Sequence, residues 1–133
     1  MLLTGCAKKD PVAKLLQDVE AAAEDRDAGD LERLLADSFT GSDGADKAAV
    51  VTMARQYFLA WRALDIEIRD VEINRRGDSA RASFRLIATG TPSNFGGLSD
   101  LLPRREVLDM DIGARQTPDG WKLTSATWTT ASE

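Results

Sequence analysis

The chain predicts an α+β domain in which three N-terminal helices pack against a curved, four-stranded antiparallel sheet. Three observations carry this expectation. Apolar residues recur at helical spacing through the first half of the chain. From Ile66 onward the pattern changes to a period of two, the signature of half-buried strands. The chain then closes on a long hairpin, Arg104 to Thr129, broken by Pro118-Asp119-Gly120. At 133 residues the chain has room for one domain with a substantial core.

The elements follow in order. Pro11 suits a first helical turn, and Val12, Leu15, Leu16 and Val19 continue one face, giving a helix over about 11–26. Asp27-Ala28-Gly29-Asp30 interrupts it. Asp30 is placed to cap a second, short helix carrying Leu31, Leu34 and Leu35, with Phe39 anchoring its exit. Thr40 to Gly44 is a loop by composition. Asp46 is placed to cap a third helix with the apolar stripe Val50, Met53, Ala54, Tyr57, Phe58, Trp61 and Leu64. The first strand begins at Ile66. Ile66 and Ile68 share one phase while Val71 and Ile73 take the other, so a bulge is expected near Arg69-Asp70. Arg76-Gly77-Asp78 turns the chain into Ala80, Ala82, Phe84, Leu86 and Ala88. A loop from Gly90 to Pro103 is long for a hairpin connection. In the last hairpin, Trp121 and Trp128 lie seven residues apart. On an unbulged strand they face opposite sides, with Trp121, in phase with Leu123, as a core wall.

Composition excludes several chemistries. The formal net charge is −5 and the pI is near 4.8. Basic residues are scattered among acids, without the basic stripe of a nucleic-acid partner. The chain has no His, so the commonest general base and metal ligand are missing. A single Cys permits neither an intrachain disulfide nor a thiolate cluster. No metal or other cofactor is expected.

That one cysteine stands in Leu3-Thr4-Gly5-Cys6, the pattern of a bacterial lipobox. The motif places small residues before a cut and a thiol that takes a diacylglycerol. Residues 1–5 are too few for a charged and an apolar leader region, so the precursor is expected to begin further upstream. Residues 1–10 then form a lipobox and flexible stem, and 11–133 the folded domain. The implied partner is a membrane surface, reached through lipidated Cys6. The implied location is the bacterial envelope. Ala7 after the Cys favours an outer-membrane destination where a cell has two membranes.

The order of elements resembles the nuclear transport factor two-like superfamily. So do the short second helix ending at Leu34-Leu35 and Phe39, the Gly41 to Gly44 turn, the aromatic third helix, and Asp119-Gly120-Trp121-Lys122-Leu123. The resemblance implies a cystatin-like cone, its sheet curled round the helices with a pocket at the open end. The superfamily includes ketosteroid isomerases, polyketide cyclases and dehydratases, together with non-catalytic binding domains, and fold alone does not choose among them. Isomerase-like members place an Asp base after the second helix. Asp43 is the nearest match, among solvent-facing neighbours. Their first helix supplies a Tyr that this chain lacks; Tyr57 belongs to the third helix. No catalytic residue is therefore assigned.

A pocket is the better expectation. Ala80, Ala82 and Ala88 leave volume under a curved sheet, and Tyr57, Trp61, Phe84, Met110 and Trp128 are candidate apolar walls. Phe95 joins them from the long loop, which reads as a lid hinged at Gly96 and Gly97. The reading is a membrane-anchored envelope lipoprotein whose domain binds a small apolar ligand or a partner protein without catalysis. The alternatives are an isomerase- or cyclase-like enzyme using Asp43 or Tyr57, and a structural protein with a filled core. The outer sheet face should carry Arg81, Ser83, Arg85 and Ile87 opposite Asp109, Asp111 and Arg115, with Arg85 near Asp109 and Arg81 near Asp111. So charged a face predicts a monomer or a weak dimer.

Overall fold

The computed structural model describes residues 10–92 and 104–131. Helix α1 spans Pro11–Glu24, α2 Ala28–Arg33 and α3 Lys47–Leu59; strands β1 to β5 span Leu35–Thr40, Trp61–Arg76, Ser79–Pro92, Arg104–Thr117 and Gly120–Thr130. The sheet order is β1-β5-β4-β3-β2, with β1 parallel to β5 and every other pair antiparallel. The fold is thus the expected α+β class, a few helices inside a curved, unclosed sheet, with five strands where the sequence suggested four.

Local chemistry sets the helix ends. The Asp10 side chain accepts the Val12 N–H at 2.8 Å, and Pro11 fills the first turn. At the other end Arg26 takes a φ of 54°, and the Asp27 N–H returns to the Ala22 carbonyl at 2.9 Å. This is the Schellman closure usually given to glycine. Arg26 serves there because its Nη1 donates to the Trp61 carbonyl at 2.8 Å, tying the helix exit to the start of β2. Asp27, not Asp30, caps α2, accepting the Asp30 N–H at 3.0 Å. Asp30 instead pairs with Arg33 one turn on. Asp46 caps α3 as expected.

Three expectations need correction. Leu35 to Thr40 is not a helix tail and loop but the edge strand β1, seated by Leu35 opposite Leu123. The third helix stops at Leu59, so Trp61 and Leu64 belong to β2. Its buried face is Val51 and Phe58, whereas Met53 and Tyr57 are exposed. Finally, Trp121 and Trp128 share the helix-facing side of the sheet. Gln116 pairs with Trp121 and Met110 with Trp128, because β5 carries one extra residue opposite Gly113/Ala114. The bulge expected near Arg69-Asp70 is present: the β2 register shifts between Arg69 and Glu72, and Asp70 has a φ of 56°.

These bulges bend the sheet over α1 and α2. The core joins Leu15 and Leu16 of α1 and Phe58 of α3 to Phe84, Ile112 and Leu123 of the sheet. The free edge of β2 is closed in part by α1, whose Glu24 Oε2 accepts the Ile66 N–H at 3.0 Å. Where β2 begins, the Trp61 ring lies flat against Gly90 of β3. A Cβ built at Gly90 would stand 2.5 Å from the indole. Gly90→Ala is therefore expected to lower stability by about 1–3 kcal/mol through overpacking. Chemical denaturation measures this; an unchanged midpoint would mean that Trp61 does not rest on this strand.

Candidate ligand cavity

Between the helices and the inner sheet face lies a cavity of about 140 Å³. Its roof is Leu16, Val19, Glu20 and Ala23 of α1, with Leu31 and Val50 from the other helices. Its floor comes from inward rows of the sheet, in which Phe84, Met110 and Trp128 pair directly across β3, β4 and β5. The wall is entirely apolar; Glu20, the one ionisable residue that borders it among the described residues, contributes its aliphatic stem. Partial burial pushes the Glu20 pKa up, and the neighbouring Glu24 carboxylate adds to the shift.

The sequence-derived lining residues divide into two groups. Phe84, Met110 and Trp128 line the cavity together. Tyr57 and Trp61 do not reach it. They form a separate aromatic pair at the far end of α3, ring centroids 5.8 Å apart. The Tyr57 hydroxyl donates to Glu106 Oε1 at 3.1 Å. Phe95, Gly96, Gly97 and the lid assigned to them lie outside the described residues, as does Cys6. Ala80, Ala82 and Ala88 are buried, yet none borders the cavity; the small residues that do are Ala23 and Ala126. Asp43 sits exposed in a short 3-10 turn with a φ of 60°, off the cavity wall. The residue missed by sequence reasoning is Glu20. Its one signal is position: it follows Leu16 by four residues and so continues the buried stripe of α1.

Tyr57 is held protonated. Burial, then the Glu106 charge, then the hydrogen bond to Glu106 push its pKa up to about 12. The Trp61 indole opposes this weakly, and its Nε1 is buried without a partner of good hydrogen-bond geometry among the described residues. An unfolded Tyr titrates near about 10. Between about pH 10 and 12 the unfolded chain has therefore lost a proton that the native chain keeps, and stability falls as pH rises. Tyr57 is the sole Tyr, so absorbance at 295 nm reads it directly. Glu106→Gln should bring its titration back toward 10; an unchanged curve would mean that Glu106 does not govern it.

No protein-family model matches the chain, and comparison with curated proteins finds no match. Solved structures match over nearly the whole length. An NTF2-like protein from Streptomyces avermitilis, named provisionally as a dehydratase, is 18% identical with a TM-score of 0.78, covering 92% of this chain and 95% of its own. A nuclear transport factor 2-like superfamily protein from Salmonella enterica is 11% identical with a TM-score of 0.77, over 92% of this chain and 89% of its own. An NTF2-like protein with a cystatin-like fold from Novosphingobium aromaticivorans is 16% identical with a TM-score of 0.72, over 98% and 86%. At such identities the likeness defines the fold: this chain has the cone of the nuclear transport factor two-like proteins.

Proposed function

We propose that this domain binds a small apolar molecule of about single-ring size in the cavity between its helices and sheet, without catalysing a reaction. The cavity itself carries the reading: about 140 Å³, walled by apolar side chains. An apolar cavity of about 150 Å³ stays dry and accepts benzene, whereas drug-sized ligands need about 300 Å³ or more. Leaving 140 Å³ empty costs roughly 3 kcal/mol at about 24 cal/mol per Å³. That is a sizeable part of a typical domain's stability, and an occupant offsets it. We propose further that Cys6 is lipidated and tethers the domain to a bacterial envelope membrane, where apolar molecules partition.

A second reading, proton transfer, is favoured by one observation, the raised pKa of Glu20, a residue that borders the cavity. Glu20 is a better candidate for it than Asp43 or Tyr57, neither of which borders the cavity.

Two measurements test the proposal. Benzene, toluene and indole should raise the melting temperature of the full chain, by about 2.7 kcal/mol of stabilisation at a hundredfold excess over Kd. Ala126→Leu, which adds three carbons to the wall, should abolish that rise. No rise with any ligand of this size would refute the cavity as a binding site. Mass spectrometry of protein from native membranes should find a diacylated or triacylated Cys6; a free thiol on a soluble product refutes the anchor.

A further inference from the structure

The outer face of the same sheet carries a groove of about 590 Å³, within the range of ligand sites. Its floor is Gly113 on β4. The extra residue of β5 places both Thr124 and Ser125 beside that glycine. A Cβ built there would stand 2.7 Å from Ser125 Oγ and 3.2 Å from Thr124 Oγ1, so the two hydroxyls occupy the space a side chain would fill. Arg81 stands directly across from Gly113 on β3. One step along, Arg76, Ser79 and Arg115 form a cross-strand row, and Lys122 extends it on β5. Arg76, Arg81 and Arg115 all line the groove, and their guanidinium groups make no ion pair or hydrogen bond among the described residues. Arg81 in particular does not meet Asp111, which faces Ser83 instead.

This arrangement is unfavourable by itself. Arg115 and Lys122 are directly opposed like charges, which destabilise a sheet, and they stand in a chain of net charge −5. An oxyanion on the Gly113 floor relieves it. It would accept from two hydroxyls and from guanidinium forks that suit phosphate geometry. The groove exceeds one phosphate in volume, and Glu72 and Asp111 line its other end, in the row of Ser83. That end repels a second anion and suits hydroxyl or ammonium groups.

We infer that the outer groove is a phosphate site, holding the phosphate group of a small molecule between Arg76, Arg81, Arg115 and the Thr124 and Ser125 hydroxyls, with the donor-rich remainder of the ligand toward Glu72 and Asp111. The phosphate can belong to a soluble monoester or to a phospholipid headgroup, and the test separates the two. Calorimetric titration of the full chain uses inorganic phosphate, glycerol 3-phosphate and O-phosphoethanolamine. A second arm measures co-sedimentation with vesicles of phosphatidylethanolamine and phosphatidylglycerol, against phosphatidylcholine alone. Binding is expected for the soluble esters, more tightly than for inorganic phosphate. Arg81→Gln and Arg115→Gln should each weaken it roughly tenfold, the effect of losing one charge-assisted hydrogen bond. Arg55→Gln, on α3 away from the groove, removes the same charge and should leave affinity unchanged. Binding to the vesicles alone, lost in the Arg81 and Arg115 variants, would keep the site and assign its phosphate to lipid. Absence of binding in both arms, or equal weakening by Arg55→Gln, would overturn the proposal. Arg81→Gln and Arg115→Gln sit on an exposed face, and their melting temperatures verify that they fold.

Discussion

Strands β2 and β5 each carry more residues than the partner beside them, and that local mismatch shapes both sides of the molecule. On β2 the extra residues lie between Trp61 and Ala63 and at Asp70, and on β5 the extra residue lies at Thr124. A bulge increases twist and bends the strand that carries it. Without these bends a five-stranded sheet would lie too flat to wrap α1 and α2, and the inward row of Phe84, Met110 and Trp128 could not face Leu16 and Val19 across the cavity. The β5 bulge also resets side-chain phase, which turns Trp121 inward beside Leu123 as well as Trp128. Trp121 then lies beneath Arg75, whose guanidinium carbon is 5.0 Å from the ring centroid. The row that starts at Arg75 runs through the small residues Ala80 and Ala114 to Leu123, and Trp121 lies two residues from Leu123 on the same face, so the Arg75 side chain can cross the sheet to it.

The inner side of the sheet is otherwise closed by contacts that satisfy the backbone where helices meet strand ends. Arg26 and Glu24 are both charged, yet each meets a main-chain group of β2. They bind the C-terminal end of α1 to the otherwise open edge of the sheet. Hydrogen bonds involving a charged partner contribute about 1.5–3 kcal/mol where they are well shielded, and less where they are exposed, as at Arg26, or only part-buried, as at Glu24. Their larger effect is geometric. They fix the depth at which α1 sits, and so the height of the roof over the cavity. Glu20 lies one turn back along the same face and borders the cavity through its aliphatic stem. Its raised pKa and the tethering role of Glu24 are two results of one helix face laid along a strand edge.

Much of this was legible in the sequence, and the failures share a cause. The class of fold, the Asp46 cap and the β2 bulge could be read because apolar residues flank them and reveal the change of period. The end of α3 could not. Trp61 and Leu64 follow Phe58 at helical spacing, yet Leu64 also sits two residues before Ile66, so the same residues satisfy both periods. Strand β1 was hidden because Leu35-Ala36-Asp37-Ser38-Phe39 does not alternate; it is defined by its pairing with β5. The β5 bulge falls at Thr124-Ser125, two small polar residues that leave no trace in an apolar pattern. Of the candidate cavity residues, the pattern brought together Phe84, Met110 and Trp128 but grouped them with Tyr57 and Trp61, which the turn out of α3 carries elsewhere.

The outer groove was illegible for a deeper reason. Arg76, Arg81 and Arg115 lie among Asp78, Asp111 and Asp119 in the chain and look neutralised by their neighbours. In the sheet, neighbours in sequence point to opposite faces, while residues from different strands share a row. Charge is therefore sorted by register rather than by proximity along the chain. Arg85 finds Asp109 directly across and pairs with it at 3.1 Å, whereas Arg81 finds Gly113 and Arg115 finds Lys122. The same alternation separates the two sites. Ile112 and Ala126 point into the cavity while Gly113 and Ser125, one residue away on the same strands, form the groove. A sheet one layer thick thus presents an apolar wall inward and a cationic floor outward, and the bulge at Thr124 serves both.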